Sequence, residues 1–242
     1  MTANTETLKS TAPGFREAVR VQEAITAPLE RKALAWLARR TPNWIGPDHL
    51  TALGFAAQFL AGVSYALARW SQFGLLGATF FICVNWLGDS LDGTLARYRN
   101  QPRPRYGFYV DHMSDTFGAI FLMTGLAASG YLHWEFSAAM LTAFLTLSIE
   151  TYLASYTLAD FRLSHGSFGP TEIRILMAIG NVALLFVPRV TVFGRELFLL
   201  DIGGATAAAA MMGMAIVAAI GHTKRLYNEE RLPWCDPQKT AI

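Results

Sequence analysis

Four aspartates stand at two spacings that place carboxylates side by side. Asp89 and Asp92 are three residues apart, and Asp111 and Asp115 are four apart. On a helix both spacings share a face, with Cβ atoms roughly 5–6 Å apart. Carboxylates that close in a partly dry site repel one another, so something positive is expected among them. Oxygen-only ligands favour a hard cation, Mg²⁺ or Mn²⁺. Two such ions would suit phosphoryl chemistry by holding a diphosphate and stabilising charge on the attacking and leaving oxygens. No histidine or cysteine cluster suggests zinc. Gly93 and Ala96 lie one turn apart beside the first pair, and Gly107 precedes the second. These small residues leave room for a bulky ligand to approach backbone. Arg97 is placed to meet phosphate oxygens as a bidentate fork.

The elements that must position these residues read as membrane helices. Of the 242 residues 52% are hydrophobic and 16% charged, with a mean hydropathy of +0.29. A soluble domain carries about 25% charged residues. Six hydrophobic segments follow one another: His49–Ala68, Phe73–Ala96, Phe108–Leu132, Phe136–Leu158, Ile173–Val190 and Ile202–His222. They show no strand alternation, and hydrocarbon offers backbone groups no partner outside the chain, so each is expected to be a helix. Their small residues suit close packing in lipid. The short loop Tyr98–Tyr106 should make the second and third helices antiparallel neighbours, bringing all four aspartates to one cleft. The expected fold is thus an all-α integral membrane protein with six transmembrane helices.

Charge gives the orientation. Arg31, Lys32, Arg39 and Arg40 precede the first segment, Arg97, Arg99, Arg103 and Arg105 separate the second and third, and Lys224, Arg225 and Arg231 follow the last. The other side has only Arg69, Arg189 and Arg195. Both termini and the aspartates are therefore expected on the cytoplasmic side. In 27–40 the residues Leu29, Ala33, Leu34, Trp36 and Leu37 can share a face. This reads either as an amphipathic helix on an anionic membrane surface or as a helix packed on the protein's own cytoplasmic face. The start of the chain is polar and does not resemble a signal peptide. The division expected is a cytoplasmic segment over 1–45, a membrane domain over 46–227 and a tail over 228–242. A net charge of +2 does not suggest nucleic acid, and Cys83 and Cys235 form no ligand or disulfide pattern.

The string Asp-x-x-Asp-Gly-x-x-Ala-Arg, nine residues, then Gly-x-x-x-Asp-x-x-x-Asp, resembles the signature of the CDP-alcohol phosphotransferase family at every fixed position. The resemblance implies a metal-dependent membrane transferase. Asp89, Asp92, Asp111 and Asp115 would bind Mg²⁺ or Mn²⁺ as two ions. Gly93, Ala96, Arg97 and Gly107 would join Asp89, Asp92 and Asp111 around the CDP group. Asp115 would be the base that takes the acceptor hydroxyl's proton, and CMP would leave. It implies a homodimer too. CDP-diacylglycerol with a polar alcohol is the favoured substrate pair. CDP-choline or CDP-ethanolamine with diacylglycerol breaks the same diphosphate, and the stretch Pro42-Asn43-Trp44-Ile45 resembles enzymes of that kind. A divalent-cation transporter is the alternative from another class, but it should spread acids through the membrane depth, whereas these cluster at one end.

Other residues are candidates for nucleotide or acceptor contacts. Asp48 and Thr51 open the first segment, where Asp48 also suits a helix cap. Asn85 is one turn before Asp89 and serves either the site or an interhelical hydrogen bond. Glu150 is an intramembrane acid, a functional candidate by default, or a hydrogen-bond partner for a neighbouring helix. In the stretch from Gly169, Thr171, Glu172 and Arg174 lie where related enzymes bind the acceptor. Arg174 would hold a phosphate and Glu172 an amine, unless they form a cap and a salt bridge. His112 is expected to face solvent or packing.

Overall fold

The computed structural model describes residues 19–21, 26–158, 160–162, 170–192 and 194–230. Most of the 1–45 segment before Thr26, Gly169 and the tail from 231 on, including Cys235, lie outside the described residues. Seven helices make up nearly all of the rest: α1 Ala27–Arg40, α2 Pro47–Leu67, α3 Phe73–Tyr98, α4 Pro104–Ser129, α5 Trp134–Leu158, α6 Pro170–Phe186 and α7 Leu199–Glu229. The chain is a multi-pass, essentially all-helical membrane protein. Four helices, α2, α3, α5 and α7, are long and apolar enough by composition to cross a bilayer.

Prolines set several boundaries. Pro47 and Pro104 stand in the first turns of α2 and α4, where the missing N–H costs nothing and the fixed φ suits the helix. The fifth hydrophobic segment ends sooner than expected. It stops at Phe186, because the residue before Pro188 is steered away from helical geometry. The chain then makes a hairpin, β3 Arg189–Val192 against β4 Arg195–Phe198, with Gly194 at φ +76 in its turn. A second short pair, β1 Val19–Val21 and β2 Asp160–Arg162, is parallel. Neither pair was expected, since three- and four-residue strands are too short to show a pattern of alternation.

Helix α2 is the packing spine. A Cβ added at Gly88 of α3 would lie 2.6 Å from the Leu50 carbonyl oxygen and 2.7 Å from the Gly54 nitrogen. On the other flank, Gly125 of α4 is in equally close contact with the backbone of Gly62, and Gly118 with the Gln58 side chain. Glycine on each side lets backbones approach closely. The consequence corrects one expectation. Helices α3 and α4 run antiparallel, but they do not pack extensively on each other; α2 packs along both.

The contacts fix the directions of α2 to α7. α2 and α3 are antiparallel, while Gln58 meets Gly118 and Gly62 meets Gly125, so α2 and α4 are parallel. Ser137 of α5 donates to the Met123 carbonyl of α4, while Tyr152 meets Phe108 near the other end of both helices. Asn181 of α6 donates to Thr79 of α3 and accepts from Tyr65 of α2, at 3.0 Å each. Met140 lies against Gly204 and Glu150 against His222, which makes α5 and α7 parallel. Helices α2, α4 and α6 thus run one way, and α3, α5 and α7 the other.

Helix α1 packs on α3. Leu34 and Ala38 are buried in a cluster with Leu50, Leu91 and Leu95, and Leu37 lies against it. The five-residue face read from sequence therefore splits: Leu34 and Leu37 turn inward, while Leu29, Ala33 and Trp36 are exposed, with Arg40 over the Trp36 ring at 4.2 Å.

Candidate active site

The first aspartate pair stands in the last third of α3, and the second stands two to three turns into α4. All four aspartates are half-buried, and so are Gly93 and Ala96, whereas Arg97 and Gly107 are exposed. The site is therefore open at the end where the α3–α4 loop lies. Arg99 ties down its rim. Its guanidinium donates to the carbonyls of Ile45, Thr41 and Pro42 at 2.6, 3.2 and 2.9 Å, fixing the α1–α2 linker to the end of α3.

Each acid already has local partners. Asp89 Oδ2 accepts from Arg174 Nη2 of α6 at 2.6 Å, in a pair largely withdrawn from solvent. Asp92 Oδ2 accepts from the Thr51 hydroxyl of α2 at 2.5 Å. Asp111 is 3.9 Å from His112 Nδ1. Tyr152 of α5 places its hydroxyl with Ser148 and Thr116, close enough to Asp115 and Asp111 to interact with them electrostatically. The His112 ring is stacked on Phe108 at 4.1 Å and meets Tyr152 edge-on at 4.6 Å, so it is a packed residue rather than a solvent-facing one.

These partners decide how the acids stand relative to a cation. The donor set is oxygen-only and suits a hard divalent ion. Yet among the described residues no three His, Cys, Asp or Glu side chains are grouped closely enough to hold one. Asp89 is turned to the Arg174 guanidinium and Asp92 to the Thr51 hydroxyl. The donor chemistry fits an ion, and its binding would require these carboxylates to reorient.

The two motif glycines differ from those that hold the helices together. A Cβ at Gly107 would meet nothing within 4 Å, and one at Gly93 would meet only the Arg97 side chain, at 3.4 Å. Packing within the protein therefore requires glycine at neither position.

The remaining candidates divide. Thr51 and Arg174 bond to motif aspartates, as above. Asp48 instead pairs with Arg103 of the α3–α4 loop and makes no cap bond. Asn85 donates to the Gly54 carbonyl at 3.1 Å and is buried, an interhelical bond. Glu150 meets His222 Nδ1 of α7 at 2.5 Å, an interhelical pair between α5 and α7. Thr171 and Glu172 both bond to α1: Thr171 donates to Glu30, and Glu172 accepts from the Thr26 nitrogen and hydroxyl at 3.0 and 2.7 Å. Sequence reasoning missed Glu30, Trp86, Ser90 and Tyr152. Glu30 carried a signal, as the one acid in an otherwise basic helix.

Solved structures to which the chain is similar include Mycobacterium tuberculosis phosphatidylinositol phosphate synthase (PgsA1) with CDP-DAG bound, at 20% identity and TM-score 0.47, covering 84% of this chain and 92% of that one. The apo form of the same enzyme matches at 19% identity and TM-score 0.45, covering 89% and 99%. The family model described as CDP-alcohol phosphatidyltransferase matches residues 44–221, which takes in α2 through most of α7 and all eight fixed motif positions, and the chain belongs to that family.

Proposed function

We propose that this enzyme transfers a phosphatidyl group from CDP-diacylglycerol to the hydroxyl of a polar alcohol, releasing CMP at the cytoplasmic face of a membrane that its helices cross six times. The family's description as a phosphatidyltransferase favours diacylglycerol on the nucleotide rather than on the acceptor. The observation that carries the site assignment is the open space at Gly93 and Gly107 beside the paired aspartates. A glycine that packing does not require, next to four acids at a helix end, suits a ligand that must lie against backbone.

In this reading Gly93, Ala96 and Gly107 form the floor on which the nucleotide lies. Arg97 reaches phosphate oxygens from the open rim. Asp115 takes the proton from the acceptor hydroxyl. The acceptor oxygen then bonds to the β-phosphorus, the bond from that phosphorus to the CMP oxygen breaks, and CMP leaves with the electron pair. Arg174, now on Asp89, is the cation placed to receive an anionic group of the acceptor. Asp89, Asp92 and Asp111, with Asp115, would hold Mg²⁺ or Mn²⁺, whose charge would offset that of the diphosphate and keep Asp115 ionised.

The test is CMP release from CDP-diacylglycerol by the purified enzyme in proteoliposomes, with Mg²⁺ and a panel of alcohols, read by lipid mass. One alcohol should give a new phospholipid and stoichiometric CMP. Turnover of CDP-choline or CDP-ethanolamine with diacylglycerol, and none of CDP-diacylglycerol, would reverse the assignment of donor and acceptor.

A further inference from the structure

Glu30 is the sole acid of α1, and it points into the protein rather than toward solvent. Its Oε1 accepts from Trp86 Nε1 and from the Ser90 hydroxyl, each at 3.1 Å. The Thr171 hydroxyl lies 3.1 Å from both Glu30 oxygens. One carboxylate on α1 thus joins α3 to α6. The donors are also well placed in sequence. Trp86 and Ser90 are one turn apart on α3, and Ser90 stands between Asp89 and Asp92 of the motif. Thr171 is one turn before Arg174 on α6. The Glu30 bridge and the Arg174–Asp89 pair are therefore consecutive rungs between the same two helices. A reciprocal bond locks the arrangement, since Glu172 of α6 accepts from the Thr26 nitrogen and hydroxyl at the start of α1.

We propose that Glu30 is a positioning residue, and that α1 is a clamp fixing the α3–α6 spacing so that Arg174 stays aimed at the motif aspartates. This rests on the reading of α3 and α4 as the active site. It also gives Thr171 and Glu172 a role in holding α1 rather than in binding acceptor. A carboxylate suits the task because three donors converge on it, and charge-assisted hydrogen bonds are about twice as strong as neutral ones. Alanine would leave the Trp86, Ser90 and Thr171 donors without that partner. Glutamine keeps an acceptor oxygen at the same reach, and aspartate is one methylene too short to touch both helices.

The experiment uses the full-length enzyme in nanodiscs and measures CMP release from CDP-diacylglycerol, equilibrium binding of CMP with Mg²⁺, and the thermal midpoint. Glu30→Ala should lower kcat about tenfold or more, the scale of a small misplacement of a reacting group, with CMP affinity kept within about twofold. Glu30→Gln should recover to within about threefold of the parent, and Glu30→Asp should not. Glu30→Ala with parental kcat, Glu30→Gln as poor as Glu30→Ala, or CMP affinity falling in step with kcat would each overturn the proposal. The midpoint tests the clamp independently of turnover. Glu30→Ala combined with Thr171→Val should lower it no further than Glu30→Ala alone, and additive losses would remove the bridge. A parent enzyme that releases no CMP from CDP-diacylglycerol would overturn the assigned reaction while the midpoint cycle still decides the clamp.

Discussion

The aspartates differ in the work they are asked to do, and substitution should separate them. Asp115 is assigned proton removal and not nucleotide binding. Asp115→Asn removes the base while keeping the shape of the side chain, so turnover should fall by about 10²- to 10⁴-fold with CDP-alcohol binding retained, measured by single-turnover CMP release beside equilibrium binding. Near-normal turnover would move the base elsewhere. Asp89→Asn and Asp111→Asn should instead weaken CDP-alcohol binding and raise the Mg²⁺ concentration needed for half-maximal activity. Gly107→Ala supplies the complementary case. Its Cβ meets nothing within 4 Å, and alanine favours helix over glycine by up to about 1 kcal/mol. Thermal stability should hold or rise while nucleotide affinity drops, and unchanged affinity would take Gly107 out of the pocket. The motif residues were legible in the sequence because their spacing is local. Thr51 and Arg174 were legible as candidates but not as partners of the aspartates: Arg174 is 85 residues from Asp89, and Thr51 is 41 from Asp92. Only packing of α2, α3 and α6 brings those pairs together.

At the scale of elements, the helices were legible because each is a long apolar run, while their edges moved with local signals: Pro188 follows the early end of α6, the left-handed Gly130 closes α4 at Ser129, and α7 runs past His222 to Glu229. What could not be read was which helix packs on which. A short loop between α3 and α4 suggested direct contact, yet backbone approach is decided by where glycines face each other. Gly54 and Gly62 lie on two flanks of α2, one meeting Gly88 of α3 and the other Gly125 of α4. The spacing of the motif helices is then set by the thickness of α2. Gly125→Ala should cost about 1–3 kcal/mol, the usual penalty of overpacking, because the new methyl would press on the Gly62 backbone rather than on a yielding side chain. Gly88→Ala should behave alike. A lowered thermal midpoint in detergent, set against Gly107→Ala in the same assay, checks the claim; equal midpoints would mean that α2 is not the spine. Because the motif helices shift with α2, Gly125→Ala should also lose activity beyond its loss of folded protein.

At the scale of the whole molecule, six spans require α4 and α6 to cross the membrane beside the four more apolar helices. Among the described residues, α2, α3, α5 and α7 meet the demands of length and composition. Helix α4 carries Arg105, Asp111, His112 and Asp115, and α6 has 17 residues, at the lower limit for a span. The proposal that both cross rests on packing. Helix α4 runs beside α2 and parallel to it through Gly118 and Gly125, so the two share the same depth over several turns. Helix α6 runs antiparallel to α3 along its middle, pairing Arg174 with Asp89 in the C-terminal half of α3 and Asn181 with Thr79 in the N-terminal half. The acids of α4 lie in the part nearest the loop, where a polar boundary tolerates them. The two counts differ at the start of α5. With six spans, Glu135 lies on the side opposite Gln101; with α4 not crossing, both lie on one side. Single cysteines at Ser71, Gln101 and Glu135, placed after Cys83 and Cys235 are replaced, can be probed in intact cells with a membrane-impermeant maleimide. Ser71→Cys and Glu135→Cys should label from outside, and Gln101→Cys should label only after the membrane is opened, as the arginines of its loop require. If Glu135→Cys were protected together with Gln101→Cys, α4 would not span, and the second aspartate pair would have to reach the first from a helix lying on the membrane.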